Sequence, residues 1–176
     1  MSRKAIFIGF VALSILCIST VIYAQQYYDQ YSGNSFQPQF SSSTFVKSGD
    51  GSIYHNDDFD DFYFCPANFS VPDGSTYFIK SLGIRYKDNL ADGYLLVRLK
   101  RKNLYTGNSH TVASWNSGTL FSNSSDLTHS EGTEAGFKLV DTKKFTYWLE
   151  IRFYRDGVTN PSNNLMIYQV RIHYGT

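Results

Sequence analysis

Residues 145–155 read FTYWLEIRFYR, and this stretch decides the fold. Its side chains alternate between two faces of an extended chain with a period of two. One face carries Tyr147, Leu149, Ile151 and Phe153, and the other carries Trp148, Glu150, Arg152 and Tyr154. This alternation is typical of an antiparallel strand with one buried face. At about 3.3 Å per residue the strand would run roughly 35 Å, which is enough to cross a whole layer of a β-sandwich.

The rest of the chain repeats the strand and turn pattern. The sequence is 17% aromatic and contains 14 Tyr, 14 Phe and 13 Gly, a composition that favours strands and turns over helices. Further strands are expected at 53–55, 62–65, 76–86, 94–101, 110–115, 136–140 and 165–174. About eight strands at even spacing predict an all-β fold, an antiparallel two-sheet β-sandwich of the jelly-roll kind over residues 46–176.

Two local expectations accompany this fold. Residues 122–132 are rich in Ser and Thr and are predicted to form a polar excursion between strands. In the last strand a regular period of two puts alternate residues on opposite faces. One predicted face carries Tyr168, Val170, Ile172 and Tyr174, and the other carries Ile167, Gln169, Arg171 and His173.

Residues 1–24 have the pattern of an export signal. Arg3 and Lys4 precede an apolar run over 5–21, and Ala24 stands before polar Gln25. Cleavage after Ala24 predicts a secreted or cell-surface protein with no membrane attachment. A retained anchor is the alternative, because about 18 apolar residues can just span a bilayer. A lipid anchor on Cys17 is disfavoured, because the residue before it is Leu16.

Residues 25–45 read QQYYDQYSGNSFQPQFSSSTF and are predicted to form a flexible, low-complexity leader. Residues 25–61 contain six acids and one lysine, a net charge of −5, whereas residues 62–176 contain nine acids and thirteen bases, a net charge of +4. Self-association is therefore an alternative, with the leader of one copy adding to the sheet edge of the next. Cys65 is the one cysteine after the signal, and we expect a buried apolar side chain, with intermolecular pairing as the alternative.

Several motifs resemble those of a set of exported bacterial proteins. The motifs are V-P-D-G-S at 71–75, I-R-Y-K-D-N at 84–89, L-V-R-L-K-R at 96–101, Y-W-L-E-I at 147–151 and M-I-Y-Q-V-R-I-H-Y at 166–174. The corresponding motifs in that set are an L-P-D-G-A turn, a Y-Y-D-N hairpin, a V-x-L-x-R strand and a final L-Y-G-V-R-I-x-Y strand. This chain departs at Val71, Ser75 and Gln169, where the set has Leu, Ala and Gly. The resemblance covers residues 62–176 and implies a compact β-sandwich of exported bacterial origin, with no assigned activity.

No enzymatic motif is present. The chain lacks a G-x-S-x-G elbow, an H-E-x-x-H helix, a cysteine pair and a phosphate loop, and its four histidines have no ligand spacing. A glycoside hydrolase or lyase is the catalytic alternative, which would need two carboxylates near one sugar bond. The available acids are Glu131 and Glu134 in a polar loop and Glu150 on the solvent side of its strand, where an exposed ion pair with Arg152 is expected. A net charge of −1 for residues 25–176 argues against nucleic acid.

Four carboxylates near residue 60 are a candidate calcium loop. They are Asp57, Asp58, Asp60 and Asp61. The loop is not an EF-hand, because Asp61 stands where that motif has Gly and Ala67 where it has Glu. The four carboxylates are interpreted either as a loop that binds one Ca²⁺ ion or as a solvated acidic loop. No other cofactor is expected.

The solvent faces of the predicted strands hold the candidate binding residues. The candidate ligand-binding residues are Trp148, Arg152, Tyr154, Arg98, Arg85 and Arg171, with Lys100 and His173 on the same faces. Aromatic rings stack on sugar rings, and arginine bonds hydroxyls or the carboxylates of acidic polysaccharides. The sequence therefore predicts a non-catalytic binding or adhesive module for a polysaccharide or cell-surface glycan. The alternative function is a structural subunit of an extracellular assembly or filament. The simplest explanation of the outward residues is an ordinary polar sheet surface, with Trp148 covered by a loop or by the leader.

Overall fold

The computed structural model describes residues 26–39, 45–55, 61–71, 76–89, 93–119, 127–132, 138–155 and 165–176. In these ranges the chain forms twelve strands and two short 3-10 turns, at Gly33–Ser35 and Ser117–Thr119. The strands are β1 (Gln26–Ser32), β2 (Gln37–Pro38), β3 (Phe45–Lys47), β4 (Ile53–His55), β5 (Asp61–Ala67), β6 (Phe78–Asp88), β7 (Gly93–Asn103), β8 (Ser109–Asn116), β9 (Leu127–Gly132), β10 (Lys138–Leu139), β11 (Phe145–Arg155) and β12 (Leu165–Gly175). They form two antiparallel sheets, which confirms the predicted all-β sandwich.

The smaller sheet, here called the β11 sheet, has five strands in the order β2-β5-β11-β7-β8. Strand β11 is the FTYWLEIRFYR stretch, and it pairs with β7 over its whole length, from Phe145 opposite Asn103 to Arg155 opposite Gly93. On its other side β11 pairs with β5, where Leu149 lies opposite Cys65. The stretch singled out in the sequence is therefore the central strand of its sheet.

The larger sheet, here called the β12 sheet, has seven strands arranged around β6 and β12. Two strands share the other side of β12: β1 runs along its C-terminal half, and β4 pairs at Met166 and Ile167. Strand β3 extends the sheet beyond β4. Strands β9 and β10 both pair with β6 on the opposite side.

The core lies between the two sheets and is built from the alternating side chains that the sequence pattern predicts. From β11 these are Tyr147, Leu149, Ile151 and Phe153, all at most 5% exposed. Cys65 is a free cysteine, 5% exposed, and burial raises the pKa of its thiol, which confirms the expected buried side chain. The space between the two sheets is therefore filled by side chains.

The N-terminal segment differs from the expected flexible leader over residues 26–39. Strand β1 pairs with β12 of the same chain from Gln26 opposite Gly175 to Ser32 opposite Gln169, and β2 joins the other sheet through β5. Phe36, between these strands, is fully buried. A period of two inside the polar composition explains the difference, because Tyr27 and Tyr31 both face inward and pack against the core. The segment thus occupies a sheet edge of its own chain, and self-association stays a prediction.

Two other expectations are wrong. Residues 127–132, predicted as a polar excursion, form β9 and pair with β6 from Leu127 opposite Tyr86 to Gly132 opposite Ser81. In β12 the pairing shifts between Ile167 and Gln169, so Ile167 is fully buried rather than outward. A β-bulge adds one residue to a strand and reverses the face on which later residues lie, which a strict period of two cannot represent.

The predicted signal, residues 1–24, lies outside the described residues, and export stays a prediction. In the described ranges no helix has the length and apolar character needed to cross a membrane.

Candidate functional site

The structure divides the predicted ligand-binding residues between the two sheets. Trp148, Arg152 and Tyr154 lie on β11 and Arg98 lies on β7, all in the β11 sheet, whereas Arg85 on β6 and Arg171 on β12 lie in the other sheet. The outward faces of two packed sheets point in opposite directions. The core separates them, and the backbones of the two sheets lie about 10 Å apart. The six residues therefore form two separate surfaces.

On the β11 sheet the cations are balanced by a buried acid. Glu150 is 6% exposed, and its Oε1 lies 3.3 Å from Arg98 Nη1 while its Oε2 lies 3.2 Å from Lys100 Nζ. The expectation of an exposed Glu150 paired with Arg152 is wrong, because the cross-strand register sets Glu150 directly opposite Arg98 on β7. This carboxylate is committed to two ion pairs.

The aromatic rings of the same surface are covered by neighbouring side chains. The Lys100 Nζ lies 5.7 Å from the centroid of the Trp148 ring, and the Arg152 guanidinium lies 5.0 Å from Tyr154 and 5.1 Å from Phe62. Tyr154 also stacks on Tyr94, with 4.4 Å between centroids and 16° between planes. Trp148 and Tyr154 are half-buried. These contacts stabilise the sheet.

The outer face of the β12 sheet contains a groove of about 480 Å³. Its lining comes from three adjacent strands, β1, β12 and β6. The lining residues are Tyr28, Ser81, Gly83, Ile84, Arg85, Gln169, Arg171 and His173. Arg85 and Arg171 are among the residues predicted from the sequence. Tyr28 is not, because the composition of residues 25–45 predicts a flexible leader and not a strand.

Strand register explains the shape of this groove. Across β1, β12 and β6 three rows of residues lie side by side on the outer face. The rows are Tyr28, His173 and Ser81; then Gln30, Arg171 and Gly83; then Ser32, Gln169 and Arg85. In the middle row Gly83 has no side chain, so the surface beside Arg171 is open. The β-bulge at Ile167/Gln169 lies next to the third row.

The first row is a stacked aromatic pair. The Tyr28 and His173 rings lie 4.6 Å apart between centroids with an interplanar angle of 15°, and Tyr28 is 50% exposed. Burial, followed by the nearby Lys80 ammonium, lowers the pKa of His173, which favours the neutral imidazole. His173 Nδ1 lies 3.4 Å from the Ser81 Oγ. The row thus offers solvent a partly exposed tyrosine ring whose position is fixed by its neighbour.

The two guanidinium groups of the groove are each held against a tyrosine. Arg171 lies over Tyr28 at 5.5 Å from the ring centroid, and Arg85 lies over Tyr168 at 5.4 Å. Both arginines are exposed. Gln169 Nε2 donates to Gln30 Oε1 at 2.8 Å, which fixes the amides between them. Among the described residues, the lining carries these two cations and no carboxylate.

The candidate metal and catalytic acids fall largely outside the described part of the chain. Asp57, Asp58 and Asp60 lie outside it, and Asp61 begins β5 but its side chain is not described. The same holds for Glu134 and for the side chain of Glu131. Within the described residues no group of three or more His, Cys, Asp or Glu side chains is placed to hold a metal. The calcium loop stays a prediction.

No family model and no curated protein matches this sequence. Among solved structures, the chain is similar to a xylan-binding module, CBM15, with 11% identity, a TM-score of 0.46, and coverage of 85% of this chain and 97% of that one. It is also similar to the low-affinity xylan-binding module CBM86 from Roseburia intestinalis, with 11% identity, a TM-score of 0.42, and coverage of 83% and 94%. A third is CBM29_1 from Piromyces equi, with 14% identity, a TM-score of 0.41, and coverage of 85% and 91%.

Proposed function

We propose that this protein is a non-catalytic carbohydrate-binding β-sandwich that holds a polysaccharide or cell-surface glycan in the groove of the β12 sheet. One observation carries the proposal: the groove combines a half-exposed, stacked tyrosine with two exposed guanidinium groups on adjacent strands. Sugar rings present apolar C–H faces to an aromatic ring and hydroxyls at their edges, so this combination fits them.

The groove is a better candidate than the β11 surface for a physical reason. On the β11 sheet Arg98 and Lys100 already neutralise Glu150, and the Trp148 and Tyr154 side chains are less exposed than Tyr28. A ligand there would have to displace interactions that the fold already makes. In the groove, Tyr28 and the two arginines keep exposed surface, so binding costs less reorganisation.

Binding to a glycan array and isothermal titration with the recognised polymer test the proposal. Tyr28→Ala should weaken binding about tenfold or more, because the exposed ring is the aromatic surface of the groove, and Tyr28→Phe should retain most of it. Tyr105→Ala is the matched control, since Tyr105 is 80% exposed in the turn between β7 and β8. Trp148→Ala should also leave the affinity unchanged. Loss of binding in Trp148→Ala with normal binding in Tyr28→Ala would move the site to the other sheet.

The site also requires that the protein reach polysaccharides outside the cell. We therefore retain the proposal of a secreted or cell-surface protein, supported by the basic start and apolar run of residues 1–24. N-terminal sequencing of the exported protein should begin at Gln25. A product that keeps Met1 and stays with the cytoplasmic fraction would contradict export.

A further inference from the structure

We infer that the groove selects a carboxylated sugar, that is, a uronate-containing polysaccharide whose carboxylate is bound by Arg85 and Arg171. This inference rests on the proposed function, because it assigns a ligand class to the same groove. Its first support is charge. The described lining holds two guanidinium groups and no acid, so an anionic ligand is attracted and a neutral one is not.

The two arginines occupy diagonal positions on neighbouring strands. Arg85 lies opposite Gln169, and Arg171, two residues further along β12, lies opposite Gly83. Diagonal neighbours in an antiparallel pair are separated by about 7–8 Å, within the reach of two long side chains toward one group. Because Gly83 has no side chain, the space between the two arginines is open to a ligand.

Stacking prepares both guanidinium groups for a carboxylate. Tyr28 and Tyr168 each contact one guanidinium, which restricts the rotation of an otherwise flexible side chain. A guanidinium that stacks through its face keeps its N–H edge available, and that edge matches the two oxygens of a carboxylate. Binding therefore loses less side-chain entropy than it would with two free arginines.

The β11 sheet provides an internal comparison. There the fold places the Glu150 carboxylate 3.3 Å from Arg98 and 3.2 Å from Lys100, so the cations are satisfied within the chain. In the groove the corresponding cross-strand positions hold Gln169 and Gly83, which carry no charge. A uronate carboxylate would form ion pairs with Arg85 and Arg171, as the Glu150 carboxylate does with Arg98 and Lys100 on the opposite face.

Isothermal titration of residues 25–176 with paired polymers tests this inference. The ligands are polygalacturonate, alginate and hyaluronate, each with its fully methyl-esterified form, which keeps the backbone and removes the charge. Neutral xylan and dextran and sulfated dextran complete the set. We expect one or more acidic polymers to bind at least tenfold more tightly than its ester. Arg85→Gln and Arg171→Gln should each reduce that preference about tenfold, since each removes charge-assisted hydrogen bonds.

Two variants separate the geometry from the charge. Arg171→Lys keeps the positive charge but loses the planar fork, and it should bind with intermediate affinity. Lys102→Gln removes one exposed charge from the β11 sheet and should leave the affinity unchanged. Circular dichroism of each variant checks that the fold is retained.

The outcomes distinguish this inference from the proposed function. Equal binding of acid and ester, or binding of neutral polymers alone, would overturn the selection of carboxylates and leave carbohydrate binding intact. Tighter binding of sulfated dextran than of every uronate would assign the groove to anions in general and also overturn it. No binding to any polymer in the set or on the array would overturn both.

Discussion

Alanine in place of Gly33 should strongly destabilise the protein, because Gly33 is where the N-terminal segment packs most tightly against the sheet. A Cβ atom at this position would collide with the Ile167 carbonyl oxygen, and it would lie 2.7 Å from the Ile53 amide nitrogen and 2.9 Å from the Gly51 carbonyl oxygen. All three atoms belong to the backbone. Rotation of a side chain therefore cannot relieve the overlap.

The size of the effect follows from what must move. Overpacking by one methyl group usually costs about 1–3 kcal/mol when side chains can adjust. Here the turn at Gly33–Ser35 must shift away from β4 and β12, so we expect a loss near the upper limit, about 3 kcal/mol. For a chain of 176 residues this corresponds to a decrease in Tm of about 6–12 °C.

Urea unfolding followed by tyrosine and tryptophan fluorescence measures the loss. Gly49→Ala is the matched control, because a Cβ at Gly49 would have nothing within 4 Å, and its free energy of unfolding should change by less than about 0.5 kcal/mol. If Gly33→Ala were as stable as Gly49→Ala, residues 26–39 would not be packed on the sandwich, and the reasoning about β1 would be refuted.

Two further changes test the interior. Glu150→Gln should lower the free energy of unfolding, measured in urea, by about 2 kcal/mol. Breaking a buried ion pair costs about 3–5 kcal/mol, and solvent screening lowers this cost here because the Arg98 and Lys100 side chains are 36% and 24% exposed. An unchanged free energy of unfolding would mean that the two ion pairs do not stabilise the protein. Asp29→Asn should stabilise the protein at pH 7. Burial raises the pKa of Asp29 more than its hydrogen bond with Tyr174 lowers it, and its Oδ2 is buried with no hydrogen-bond partner among the described residues. A raised carboxyl pKa means that the native state binds more protons above pH 3.8, so stability falls as pH rises through the folded pKa. The gain should vanish when unfolding is measured at pH 3, and a gain that is the same at both values would contradict this origin.

The long strands could be predicted because one of their faces is uniformly buried. In β11 every second residue from Tyr147 to Phe153 is apolar and buried, and the pattern gave both limits of the strand. The sheet to which a strand belongs depends on pairing between distant residues, which periodicity does not encode. Arg85 and Arg98 follow the same outward pattern, yet they lie on opposite faces of the molecule.

The missed elements are those whose composition concealed their pattern. Strand β1 alternates between inward Tyr27, Asp29 and Tyr31 and outward Tyr28 and Gln30, but the Gln and Ser residues of this segment are common in disordered segments. Strand β9 is rich in polar residues and pairs with β6 through its backbone. Apolar and polar residues do not alternate strictly over residues 27–31, because Asp29 faces inward and Tyr28 faces outward, so periodicity gives only a weak signal for β1.

The position of β1 links the fold to the candidate site. Strand β1 supplies Tyr28 and Gln30 to the groove, and it is held there by Tyr27, which stacks on Tyr174 at 5.6 Å and contacts Tyr77 edge-on at 5.3 Å. A domain boundary placed at residue 46 from composition alone would remove the exposed tyrosine and one wall of the groove. The segment expected to be a tether is therefore the part of the chain that completes the groove, and the shape of the proposed binding surface depends on the packing of the first strand.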